Sequence, residues 1–168
     1  MSFISLWLLA GSIILFLMTL LWLYSLAIKN SSIVDIFWGT GFVVTYWVAT
    51  LLNPAEISTR EILLGALVAV WGFRLSTHIF IRNHNQPEDF RYAAWRAEAG
   101  SAWWWRSFFK VFLLQGIIMW IVAAPLIAVQ TANPAAASCS CEYAGLGLWL
   151  VGFIFEAGGD WQLTRFKK

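Results

Sequence analysis

Apolar residues run almost unbroken from Phe3 to Ile28, until the polar turn Lys29-Asn30-Ser31-Ser32 ends the run. A stretch this long exceeds the apolar core of a cleaved signal peptide, and no Lys or Arg precedes it, so it reads as a first membrane span. Ser31 or Ser32 is placed to cap the helix that follows. A second span is expected over about 33–52, with Asp35 near its start and Asn53-Pro54 at its end. Ser58 to Glu61 then opens a third span over 62–81, which contains Arg74 and His78. A fourth is expected over 108–129, with Gln115 inside it and a kink at Pro125. A loop of small residues without Lys or Arg leads to a fifth span over 144–163.

The one long polar stretch lies between the third and fourth spans. Pro87-Glu88-Asp89 reads as a helix start, with proline early and acids in the first turn. Phe90, Ala93, Ala94 and Ala97 recur at helical spacing up to Gly100, which predicts a short amphipathic helix on the membrane surface. Trp103-Trp104-Trp105-Arg106 then reads as an interface anchor. The predicted fold is all-α: a polytopic transmembrane bundle of about five spans plus one interfacial helix, in a single domain covering 1–168.

Composition narrows the function classes. The 168 residues are 60% hydrophobic and only 12% charged, against roughly 45–50% and about 25% in soluble domains. A soluble enzyme, a nucleic-acid binder and a disordered tail are thereby excluded, and the lipid bilayer is the expected environment. Twelve tryptophans suit the boundary between lipid and water. Cys139 and Cys141 are too close for an easy disulfide, and two ligands do not make a zinc site, so no metal centre is expected.

Charge also orients the chain. With five alternating spans, nine of the eleven Lys and Arg share one face: Lys29, Arg82, Arg91, Arg96, Arg106, Lys110, Arg165, Lys167 and Lys168. Arg60 alone stands on the other. The bias predicts an integral membrane protein with its N-terminus outside and its C-terminus in the cytoplasm. The intramembrane polar residues are Asp35, Arg74, His78, Gln115, Glu156 and Asp160, and this topology puts all six in the cytoplasmic half. Charges in a span are costly and normally face a cavity or a partner. Arg74, His78 and Arg82 are four apart and form one stripe; Glu156 and Asp160 form another. A polar pocket open to the cytoplasm could admit a soluble charged cofactor, while lipid supplies an apolar substrate.

Several stretches carry a resemblance when taken together and in order. They are Ser32 to Gly39 (SIVDIFWG), Trp71 to Phe80 (WGFRLSTHIF), Pro87 to Tyr92 (PEDFRY), Phe112 to Gly116 (FLLQG) and Gly152 to Leu163 (GFIFEAGGDWQL). The chain resembles, over nearly its whole length, a bacterial family of uncharacterised multi-pass membrane proteins allied to the steroid 5α-reductases.

The resemblance implies a membrane-embedded reductase that uses NADPH. Such enzymes pass a hydride to an activated carbon–carbon double bond of a lipophilic enone, and a protein acid protonates the other carbon. Asp35 and His78 are the candidates for that acid, with Arg74 beside them as a third catalytic candidate. Glu156 and Asp160 fall where the steroid reductases carry cofactor-facing polar residues, although Glu156 stands where an amide residue is usual. Lys167 falls near a basic cofactor contact, and Arg82 and Gln115 complete the cofactor-binding candidates. Family members continue into further spans with an Arg-His-Pro-Asn-Tyr…Gly-Glu motif. On that resemblance, this sequence is expected to correspond to the N-terminal two-thirds of the family unit. Two alternatives stand beside the reductase. One is a membrane methyltransferase related to the isoprenylcysteine carboxyl methyltransferases, using S-adenosylmethionine. The other is a non-enzymatic transport or assembly protein, for which the intramembrane charges also speak.

Overall fold

The computed structural model describes residues 1–132 and 140–166, and these are helical with short turns and no strand among them. The chain divides into two units, Met1–Pro134 and Ala135–Lys168. The first is a helix bundle; the second contains one described helix, α7 (Ser140–Phe166).

Helices α1 (Phe3–Ile28) and α2 (Ile33–Leu52) have the predicted bounds. Lys29 takes up the left-handed conformation (φ 53°) and turns its N–H back onto Leu26, which ends α1 abruptly. Helix α3 (Thr59–Asn83) runs slightly beyond the predicted span at both ends. It starts with a reciprocal capping box: Ser58 Oγ accepts from the Glu61 N–H, and the Glu61 carboxylate accepts from the Ser58 N–H. Helix α4 (Phe90–Ala99) is the amphipathic helix anticipated from the sequence, capped by Asp89 and stopped at Gly100. After a 3-10 turn come α5 (Trp103–Ser107), a π-helical segment (Phe108–Leu113) and α6 (Leu114–Val129), which runs through Pro125.

Two expectations need correction. Ser32 does not cap α2 through its side chain; its Oγ accepts instead from the Asp89 N–H, because the 84–89 loop folds over the turn. The fourth span does not open as a regular α-helix, since Phe108–Leu113 is π-helical. Among the described residues, α1, α2, α3 and the Phe90–Val129 run are long and apolar enough to cross a membrane, and α7 covers the stretch of the expected fifth span. Helix α7 has the length, but Glu142, Glu156, Asp160 and Arg165, with five glycines, dilute its apolar stretch. Cys139 and Lys167 lie outside the described residues.

Packing follows the helical period. Leu6, Ala10, Ile14 and Met18 of α1 are four apart and buried, as are Met119, Ala123 and Ile127 of α6. Trp7 and Trp120 lock these two helices: their rings stack at 4.3 Å, and each indole N–H donates to the other's backbone carbonyl. Helices α2 and α3 meet through Gly39 and Gly72, and a Cβ built on Gly39 would lie 2.1 Å from the Gly72 carbonyl oxygen. Only glycine at both positions allows this approach, the small-residue mode of contact in membranes. Thr40 donates from its N–H and its hydroxyl to Ser76 Oγ one turn further on. The outward faces carry Ile4, Phe16, Leu51 and Ile81, all more than 60% exposed, as an apolar surface for lipid.

Polar groups collect at the two ends. At one, the Asn53 amide donates to the Gln130 carbonyl, the Gln130 amide donates to Tyr46 O and Thr50 Oγ1, and the Tyr46 hydroxyl donates to Glu61 O. At the other lie the α1–α2 turn, the 84–89 loop and α4.

Candidate functional site

The turn after α1 sets up the second end. The Asn30 side chain accepts from the Ser32 N–H at 2.8 Å, which leaves the Ser31 N–H directed at the loop before α4. Glu88 takes that N–H at 2.6 Å and grips Arg96 with both oxygens, at 2.8 and 2.9 Å. Burial pushes the Glu88 carboxyl up, but hydrogen bonds from Arg96 and Ser31 outweigh it and hold the group below its ordinary 4.5. Asp89 is likewise held below 3.8, by the hydrogen bond from the Arg91 guanidinium.

With its start fixed in this way, α4 presents consecutive residues to α2. The Tyr92 hydroxyl donates to Asp35 Oδ1 at 2.8 Å. Arg91 bridges Asp35 Oδ2 at 3.2 Å and Asp89 Oδ1 at 2.9 Å. The Gln115 amide donates to the Tyr92 hydroxyl at 3.0 Å, and the Trp38 indole N–H donates to the Gln115 carbonyl oxygen. Trp38 lies three residues after Asp35, so both reach the cluster from one face of α2. The result is a connected line, Trp38–Gln115–Tyr92–Asp35–Arg91, drawn from α2, α4 and α6.

The environments along this line differ. Tyr92 is 3% exposed and Arg91 more than half exposed at its side chain, with Asp35 between them. The line therefore connects a buried phenol to the water-facing surface. Trp95 packs edge-on to Tyr92, and Trp38, Phe42 and Trp71 form a chain of aromatic contacts beneath. The phenol has one proton to give, and it rests on an acceptor that Arg91 also neutralises. Such an arrangement can hold and deliver a proton at the Tyr92 oxygen.

The sequence-derived candidates distribute as follows. Asp35 and Gln115 come together, joined by Tyr92. Arg74 and His78 are half-buried on α3 and Arg82 is exposed. The α3 residues that face α2 are Gly65, Val68, Gly72 and Ser76, and at about 100° per residue Arg74 and His78 lie far round the helix from these. The partners of Asp35 are Tyr92 and Arg91. Glu156 and Asp160 are on α7, in the second unit. Sequence reading did not select Tyr92, Trp38, Arg91, Glu88 or Arg96 as site residues. The one available signal, for all of these but Arg96, was their place within the PEDFRY and SIVDIFWG stretches.

A family described as protein of unknown function (DUF1295) matches residues 21–168. No curated protein matches the chain, and no solved structure does.

Proposed function

The chain belongs to this DUF1295 family of unknown function, and from that premise we propose that it is a membrane-embedded, NADPH-dependent reductase of a carbon–carbon double bond in a lipophilic enone. The observation that carries the reading is the buried Tyr92 hydroxyl, held between the Asp35 carboxylate and the Gln115 amide at the polar end of an apolar bundle. The resemblance to the steroid 5α-reductases supplies the reaction class. An enone reaching this end from the bilayer needs a proton donor at or near its carbonyl oxygen. Tyr92 provides one when its hydroxyl turns from Asp35 to the substrate. Asp35 then loses that hydrogen bond, Arg91 offsets its charge, and the phenolate regains a proton from water at the exposed Arg91–Asp35 side. Gln115 keeps the phenol oxygen in place through either state. NADPH, when bound, supplies the hydride. Its phosphates require cations that face water, and the exposed Arg82 and Arg91 at this end fit that requirement. The positive end of the chain faces the cytoplasm in this reading, where the cofactor is found.

The test is NADPH binding by the purified chain in lipid nanodiscs, followed by tryptophan fluorescence, with enone-dependent NADPH oxidation measured alongside. Tyr92→Phe should lower the turnover rate by about 10²–10⁴-fold and leave NADPH affinity unchanged. Absence of NADPH binding and oxidation would overturn the reductase, and binding of S-adenosylmethionine in its place would establish the methyltransferase alternative.

A further inference from the structure

The basic residues around α4 and the start of the fourth span have two different fates. Arg91 and Arg96 are engaged by carboxylates, at 3.2 and 2.9 Å and at 2.8 Å. Arg106 and Lys110 form no ion pair among the described residues. Each lies instead over an indole: the Arg106 guanidinium 5.5 Å from the Trp105 ring centre, and the Lys110 ammonium 4.3 Å from that of Trp95. A ring covers one side of a cation and attracts it weakly at an exposed site. The remaining N–H donors of both groups still need acceptors.

The surroundings show where those acceptors would come from. Trp104, Trp105 and Phe109 are 59%, 43% and 58% exposed beside the two cations, and Phe90 at the start of α4 is 79% exposed. Large aromatic side chains left outside the core, with cations among them, mark the level of lipid headgroups. The carboxylates Asp35, Glu88 and Asp89 are occupied by Arg91, Arg96, Ser31 and Tyr92, and Glu98, exposed on α4, is ion-paired with neither Arg106 nor Lys110.

We propose that Arg106 and Lys110, flanked by Trp104, Trp105 and Phe109, bind the phosphodiester of an anionic phospholipid from the surrounding bilayer. Two unneutralised cations favour a headgroup of net negative charge. A zwitterionic headgroup brings its own ammonium, which they repel. The aromatic side chains take the glycerol and first methylenes of the chains, and the charge-assisted hydrogen bonds give the selectivity. This site is separate from the Asp35–Tyr92 cluster and stands without the reductase reading.

The full chain, reconstituted in mixed phosphatidylcholine and phosphatidylglycerol, is extracted into detergent, and the lipid that stays bound is identified by mass spectrometry. Thermal unfolding with each lipid added back is the second measurement. Severalfold enrichment of phosphatidylglycerol, and stabilisation by it alone, are expected. The double substitution Arg106→Gln with Lys110→Gln should remove both effects, and Arg106→Lys with Lys110→Arg should retain them, which separates lost binding from lost folding. High salt should weaken the preference. Equal retention of the two lipids by the unaltered chain would overturn the proposal, as would an undiminished preference in the folded double-glutamine variant. Displacement of the lipid by soluble glycerophosphoglycerol would overturn the bilayer lipid as the occupant, and failure to displace it supports that source.

Discussion

At Glu88, two residues from distant parts of the chain meet one carboxylate: Ser31 of the α1–α2 turn and Arg96 of α4. The group is held charged below its ordinary range, as is Asp89 next to it. A depressed carboxylate contributes stability above its unfolded-state value and loses it as pH falls through the folded one. Stability in detergent should therefore hold steady from neutral pH to about 5 and decline below about 4, read as a falling thermal midpoint. Glu88→Gln should flatten that decline and cost about 1–3 kcal/mol at neutral pH, since it leaves a half-buried guanidinium without its partner. An unchanged acid profile in Glu88→Gln would show that the latch does not govern this end. Tyr92 teaches the complementary lesson about legibility. Its sequence neighbours suggested only an amphipathic helix, because its partners Asp35 and Gln115 are 57 and 23 residues away.

Helices read well from this sequence because lipid leaves the backbone no partner but itself. A long apolar run must then be helical, and α1 and α2 match their expected bounds for that reason. The Ser58–Glu61 cap of α3 and the Asp89 start of α4 were visible for a second reason: capping chemistry lies within four residues of chain. The π-helical segment at Phe108–Leu113 was not visible. It coincides with a long-range demand, where Phe108 packs edge-on to Trp22 while Phe112 is buried in the core. The α2–α3 contact is also a property of elements in pairs. Gly72→Ala would put a Cβ 2.5 Å from the Gly39 carbonyl oxygen, which is backbone and cannot swing aside. It should destabilise by about 1–3 kcal/mol in detergent unfolding. Gly116→Ala meets side-chain atoms alone, Met18 Cγ at 3.2 Å and Ile14 Cγ2 at 3.5 Å, and should have a clearly smaller effect. Equal effects would mean that the two helices separate readily.

For the whole molecule, the charge bias and the hydrogen bonds agree on which loops share an end. Ser31 and Ser32 bond directly to Glu88 and Asp89, and Asn53 bonds to Gln130 at the other end. The charge bias predicts that the basic end faces the cytoplasm, so a cysteine placed at Asn85 should resist a membrane-impermeant thiol reagent added to intact cells. One placed at Ala55 should react. Cys139 and Cys141 are replaced by serine beforehand. Reversal of the pattern would invert the orientation argued for the proposed cofactor side. The apolar runs by themselves determined that this protein is a membrane helix bundle, since burial in lipid acts on each segment separately. Only the tertiary structure decided that Tyr92, Gln115 and Trp38 would gather at Asp35, while Arg74 and His78 turn to another face. Which helix faces meet depends on side-chain packing between segments far apart in the chain, as at Gly39 and Gly72, and hydropathy along one segment carries no record of it.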